Sequence, residues 1–131
     1  MKTNLIVDSC VDFNEDTENI DRVPFRILID EQEIVDENTN ILELISKMKN
    51  SRSQIKTACA PPEDFINKVK EHANNFIVTI SSQLSGSYNS AMVAVETIKE
   101  KFPEAFVHIF DSKTAAAGET MIAIKVKQLI E

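Results

Sequence analysis

The sequence contains no tryptophan, one tyrosine, two cysteines and two glycines. Aromatics reach only 6% of the residues, so a stacking platform for nucleic-acid bases is not on offer. Cys10 and Cys59 stand far apart without a paired spacing. Neither a disulfide framework nor a zinc site follows, and the expected compartment is the reducing cytoplasm. Basic residues are in deficit: 14 Lys and Arg face 21 Asp and Glu, for a net charge of −7. A phosphate-backbone binder needs a basic stripe, so nucleic acid is excluded as a partner. No apolar run reaches the length of a bilayer span. The start, Met1-Lys2-Thr3-Asn4, lacks the long apolar region and cleavage site of a signal peptide, so stable membrane insertion is not expected. Also missing are the Gly-x-x-x-x-Gly-Lys-Ser/Thr phosphate loop, the Gly-x-Gly-x-x-Gly dinucleotide fingerprint and the Gly-x-Ser-x-Gly nucleophile turn.

What is present is an ordinary globular composition, 43% hydrophobic and 27% charged over 131 residues. That is enough for one domain with a real core. Leu5-Ile6-Val7 reads as a strand buried on both faces, since it does not alternate. The acidic stretch from Asn14 to Asp21 reads as a loop or frayed turn. Val23 to Ile29 is a second apolar run, and with Ile34-Val35 it suggests a hairpin. Asn38-Thr39-Asn40 offers N-caps for a helix carrying Ile41, Leu44, Ile45 and Met48. Gln54 to Thr57 is a brief extended piece. Pro61-Pro62-Glu63-Asp64 opens a helix with Phe65, Ile66, Val69 and Ala73 on its apolar face. Phe76 to Ile80 is the clearest strand. Ala91, Val95, Ile98 and Phe102 mark a helix, Ala105 to Phe110 a strand, and Met121, Ile122, Val126, Leu129 and Ile130 a last helix. Strands alternating with helices predict an α/β fold, a mostly parallel sheet with helices on both faces and a small additional hairpin.

Four predicted strands end in hydroxyl residues: Asp8-Ser9, Thr57, Ser81-Ser82 and Asp111-Ser112. Parallel strands would bring all four ends to the carboxyl edge, where open α/β sheets bind ligands. Hydroxyls beside free helix N–H groups make an anion site that needs no lysine or arginine. Serine and threonine are also ordinary helix caps, so a single junction carries little weight. Ser85-Gly86-Ser87 is stronger, with more hydroxyls than one cap requires. Asp8, Asp12 and Asp111 could instead assemble a magnesium site, or hydrogen-bond backbone at tight turns. Cys59 reads as a packed thiol rather than a nucleophile, His72 as exposed, and His108 as a satisfied histidine within an apolar strand.

These residues resemble the DegV family, fatty-acid-binding proteins of bacterial lipid metabolism. Asp8-Ser9-Cys10-Val11-Asp12 matches its Asp-Ser-x-x-Asp start. Ser81 through Ala91 matches Ser-Ser-x-Leu-Ser-Gly-Thr-Tyr-x-Ser-Ala, with Ser87 in place of threonine. Pro62-Glu63-Asp64-Phe65 matches a further motif, preceded by a segment that keeps Thr57. Asp111-Ser112 and Gly118 match the last, with Thr120 where a second glycine is usual. The resemblance implies that Thr57 and Ser85 hold a lipid carboxylate, with Ser9, Ser82, Gly86, Ser87 and Ser112 in support. It implies a long-chain fatty acid as ligand, no metal or other cofactor, and no catalysis by this chain. A separate fatty acid kinase catalytic subunit would phosphorylate the presented carboxylate to an acyl phosphate. Family members are about twice this length. Residues 1–131 are therefore expected to form the first of two domains, the second being absent, and the pattern that runs unbroken to Glu131 agrees. An apolar seam exposed on such a half would favour a homodimer. The competing expectation is a phosphoryl-transfer enzyme, or a metal- or phosphate-binding domain, built on the Asp and Ser strand ends.

Overall fold

The computed structural model describes residues 2–13 and 19–131; most of the expected acidic loop, residues 14–18, lies outside them. The first strand, β1 (Lys2–Asp8), is followed by β2 (Ile20–Val23), β3 (Arg26–Ile29), β4 (Gln32–Val35), α1 (Ile41–Lys49), β5 (Lys56–Ala58) and α2 (Pro62–Ile66). Then come β6 (Ala73–Thr79), α3 (Ser87–Lys101), β7 (Phe106–Asp111) and α4 (Ala117–Ile130). Four strands form a wholly parallel sheet in the order β2-β1-β6-β7. The β1 neighbours lie on opposite sides in sequence order, which puts a crevice at the carboxyl ends of β1 and β6.

Both faces of this sheet are covered, as the uninterrupted apolar strands predict. On one face Ile6 and Ile77 meet Phe65 and Ile66 of α2 and Ala91, Ala94 and Ile98 of α3. On the other, Leu5, Val7 and Val78 meet Ala123 and Val126 of α4. Small residues on α3 let the helix lie close to the strands. At the amino edge a buried amide pair closes the sheet. Asn4 Nδ2 donates to Asn75 Oδ1 at 3.0 Å, and Asn75 takes the Lys70 N–H at 2.9 Å. The opposite edge is left for the site.

The expected hairpin exists as β3–β4, but β5 extends it into a separate antiparallel sheet, β4-β3-β5. This corrects two expectations. The run Val23 to Ile29 is not one strand: it breaks at Pro24-Phe25, and its halves serve different sheets. The strand ending in Thr57 does not join the parallel set. The reason is local: Pro24 cannot donate to a ladder, and the Phe25 N–H is taken by Ser9 Oγ at 2.9 Å instead. The small sheet is tethered by Arg26, whose Nη1 lies 2.6 Å from Asp64 Oδ2 of α2. Its turn is held by Asp30, which accepts from Ser51, Arg52 and Ser53. These bonds, led by the Ser53 hydroxyl, keep the exposed Asp30 carboxyl below the usual carboxylate range.

Other boundaries also shift. Helix α2 stops after Ile66, so Val69 and Ala73 leave its face and Ala73 opens β6. The Asn75 side chain bonds both Lys70 N and O, replacing helical partners there. Helix α1 forms with its Asn40 cap, the side chain accepting from Glu43 N. None of its residues is buried, and Leu42 is 81% exposed. Three short strands supply no core for it to cover. His108 is exposed on the edge strand β7, resting edge-on against Phe110 at 4.6 Å, rather than satisfied inside the sheet. Among the described residues no helix is long and apolar enough to cross a membrane.

Entry into α4 is tight. Ala116 takes φ 48°, a left-handed value that costs a non-glycine residue about 1–3 kcal/mol. A Cβ on Gly118 would meet Thr114 Oγ1 and lie 2.8 Å from Thr114 Cγ2. Gly118→Ala is therefore expected to lower stability by about 1–3 kcal/mol. Urea denaturation checks this, and adding Thr114→Ala should recover most of the loss.

Candidate carboxylate site at the sheet edge

The turn after β6 is shaped by one buried carboxylate. Asp8 ends β1 with no solvent exposure. Its Oδ2 accepts from the Ile80 N–H at 2.8 Å and from the Ser87 hydroxyl at 2.7 Å, and its Oδ1 from the Cys10 N–H at 3.2 Å. Charge-assisted bonds of this kind are the strong ones. They fix the end of β6, the first turn of α3 and the turn after β1 relative to one another. Ser85 Oγ accepts the Ser87 N–H at 3.2 Å. That leaves the Ser85 hydroxyl proton free to donate outward.

Beside this turn lies a cavity of about 490 Å³ lined by Ser9, Cys10, Phe25, Ile27, Asp36, Thr57, Cys59, Ile80, Leu84, Ser85 and Gly86. Thr57 and Ser85 thus share one wall space, although they come from different sheets. Ser9 and Gly86 join them. Ser9 Oγ accepts from Phe25 N–H, so its proton too can be donated to a ligand. Gly86 caps α3 with no side chain of its own to bond the first-turn N–H groups, of which the Ser87 N–H goes to Ser85 Oγ. A 15-residue helix with free N–H groups at its start favours a negative ligand there. A Cβ on Gly86 would lie 3.4 Å from Cys59 Sγ, so a larger residue would fill the cavity.

The other supporting candidates do not line it. The Ser87 hydroxyl is buried on Asp8. Ser112 is bonded to Thr114, donating to its carbonyl at 3.1 Å. Ser82 lines a neighbouring depression with Asp111 and Lys113. Its hydroxyl and N–H both serve Asp111, and these bonds, the hydroxyl's first, hold the Asp111 carboxyl below its ordinary range. Asp8 and Asp111 are therefore turn-holders, and no group of three or more His, Cys, Asp or Glu among the described residues could hold a metal. Burial, then Asp8, Glu119 and Asp36, push the Cys10 thiol up to about 12.

Sequence reasoning missed Asp36 and Glu119. Asp36 follows β4 and reaches the cavity only because the small sheet folds over the crevice. Glu119 looked like an ordinary acid in the first turn of a helix, yet it is fully buried. Its helix also carries Thr120, Lys125, Lys127 and Gln128, so nothing local marked it out.

The family model described as an uncharacterised protein of the DegV family matches residues 2–131. The chain belongs to the DegV family. A DegV domain-containing protein from Streptococcus gordonii is 34% identical over 99% of this chain and 48% of its own length. The chain spans about half the length of the curated relatives it matches. Among solved DegV structures, one from Ruminococcus gnavus with vaccenic acid has a TM-score of 0.88 at 34% identity, covering 96% of this chain and 47% of that one. The Streptococcus pneumoniae Fatty Acid Kinase (Fak) B3 protein loaded with linoleic acid reaches 0.92 at 29% identity, covering 99% and 48%. A DegV protein from Eubacterium eligens loaded with heptadecanoic acid gives 0.89 at 28%, covering 98% and 47%. DegV structures thus hold fatty acids as ligands.

Ser87→Ala tests the framework. It leaves the buried Asp8 carboxylate one donor short, which should cost about 1–3 kcal/mol. A loss of only a few tenths in urea denaturation would mean that Ser87 merely begins a helix.

Proposed function

We propose that this chain binds the carboxylate of a long-chain fatty acid at the β1–β6 crevice. The supporting observation is that Thr57 and Ser85, carried to one cavity from separate sheets, sit beside the start of α3, whose Gly86 cap brings no side chain. Phe25, Ile27, Ile80 and Leu84 give the same cavity an apolar side for the first methylenes. Thr57, Ser85 and Ser9 supply hydroxyl donors, and Gly86 leaves room and backbone N–H. Such neutral donors orient a carboxylate without burying it in a salt bridge. It stays open to a second protein.

In this reading the chain is a carrier with no catalysis of its own. It presents the carboxylate to a separate fatty acid kinase subunit, which forms the acyl phosphate, in the cytoplasm. The fatty acid is ligand and cargo, and the reading calls for no cofactor. Residues 1–131 correspond to the first domain of a two-domain architecture, which accounts for a match to about half of each relative. Exposed Met121, Ile122, Ile124 and Leu129 on α4, together with Phe106 on β7, form an apolar seam suited to self-association.

Thr57→Ala combined with Ser85→Ala should weaken binding of a long-chain fatty acid at least about ten-fold, since hydrogen bonds to a charged group are among the stronger ones. Fluorescent fatty-acid titration measures it. Unchanged affinity would remove these residues from the site, and lipid-free extracts of the purified protein by mass spectrometry would remove the function.

A further inference from the structure

Glu119 is used by nothing described so far. It is 0% exposed, and neither carboxyl oxygen has a partner among ordinary donors. The Ala116–Val11 and Thr120–Asp12 contacts on either side of it seat it against the turn that begins at Asp8, and Asp8 is the group that acts on its carboxyl. Two carboxylates cannot hydrogen-bond each other, but a carboxylic acid and a carboxylate can, by sharing one proton. Burial, then Asp8, push the Glu119 carboxyl up to about 10, so it carries that proton at neutral pH.

The backbone is built to bring the two groups together. Ala116 bridges Val11 beside β1, and Thr120 Oγ1 accepts the Asp12 N–H at 2.7 Å. These two contacts bracket Glu119. The left-handed Ala116 and the close packing of Gly118 on Thr114 belong to the same turn. Strain of this sort persists where the surroundings over-determine it, and it concentrates at sites of function. Continuing the Val7–Val78 register by one residue sets Thr79 beside Asp8, and its hydroxyl is likewise buried without a partner. The titratable groups around Glu119 are Asp8 and Cys10, with Asp36 acting on Cys10 from the small sheet.

We propose that Asp8 and Glu119 form one carboxyl–carboxylate unit that positions the ligand-facing wall of the crevice. Glu119 donates its proton to Asp8. Asp8 accepts from the Ser87 hydroxyl and the Ile80 and Cys10 N–H groups, and thereby holds the turn that carries Ser85 and Gly86. Both are positioning residues, acting on the ligand through that turn. Loss of the proton sets two buried negative charges against each other and loosens the wall. The ligand-binding arm of this proposal rests on the fatty-acid reading; the protonation arm does not.

The linkage has a definite sign. A carboxyl whose folded value lies above its unfolded one binds more protons when folded. Its stabilising contribution is full below the ordinary glutamate range, about 4.5, and is lost as pH rises towards about 10. Glu119→Gln keeps a donor for Asp8 and removes the titration.

The test compares wild type with Glu119→Gln and Glu119→Leu. It uses infrared difference spectra, thermal denaturation from pH 5 to about 10, and titration with the fluorescent fatty acid cis-parinarate. Wild type should show a protonated carboxyl band at neutral pH that Glu119→Gln abolishes. Its melting temperature should fall with rising pH, and that of Glu119→Gln should stay flatter. Glu119→Gln should keep probe affinity within about two-fold, while Glu119→Leu, folded by circular dichroism, should lose about ten-fold for want of a donor. Wild-type affinity should decline towards pH 10 and the Gln variant's should not. The free probe is fully ionised throughout the upper half of that range and cannot mimic the decline. A missing protonated band, matching pH profiles, or a Leu variant that binds like wild type overturns the proposal. Should wild type fail to bind the probe, the fatty-acid reading falls, and the spectra and melting curves still decide the carboxyl pair.

Discussion

A buried carboxylate organises this protein. Asp8 sits at the carboxyl end of a central strand, out of water, and no Lys or Arg among the described residues forms an ion pair with it. Leaving a carboxylate so placed without partners would be costly. It is satisfied instead by N–H and O–H groups from three directions: the turn after β1, the end of β6 and the start of α3. The parallel sheet would pack without it, since the cores on its two faces are apolar and continuous. The turn that bears Ser85 would not have a fixed course.

That division explains what could be read from the sequence. The apolar runs of β1 and β6, and the helical spacing of Ala91, Val95 and Ile98, determine the sheet and its covering helices through burial alone. Burial follows local pattern, so the α/β class, the helices on both faces and the hairpin were legible. The break at Pro24-Phe25 was not, because it depends on a bond between Ser9 and Phe25, 16 residues apart. Neither was the burial of Glu119, which depends on the course of the Ala116 turn.

The site shows the same split in sharper form. Thr57 was singled out by the family resemblance, and it was grouped with the other strand ends on the premise of a parallel strand, which is incorrect. It reaches the crevice because the antiparallel β4-β3-β5 sheet leans over the end of β1, tethered by Ser9–Phe25 and Arg26–Asp64. Thr57 thus lines the cavity by a different geometric route. The hydroxyl residues of the four strand ends and of the Ser85-Gly86-Ser87 turn look alike in sequence. Folding separates them into donors facing a cavity, Ser9, Thr57 and Ser85, and hydroxyls spent on holding turns, Ser82, Ser87 and Ser112. Only hydrogen-bond accounting in three dimensions distinguishes the two kinds.

The electrostatics of the crevice bear on how a carboxylate would be held there. Asp36 lines it, Asp8 lies beneath it, and its lining includes no cation. Two negative groups near an anion oppose binding, and three hydroxyls with a helix start offset this only in part. On the proposed fatty-acid reading, the acyl chain would supply most of the affinity, at about 0.8 kcal/mol for each methylene withdrawn from water. Hydroxyls in such a site select orientation rather than strength. A carboxylate gripped this lightly keeps its lone pairs exposed. On the proposed reading, that would suit a carrier that surrenders the group to a reaction elsewhere better than a store. It also makes the precise placement of Ser85 matter more. With no charge to attract the ligand from any angle, the geometry set by Asp8 is what gives the donors their direction.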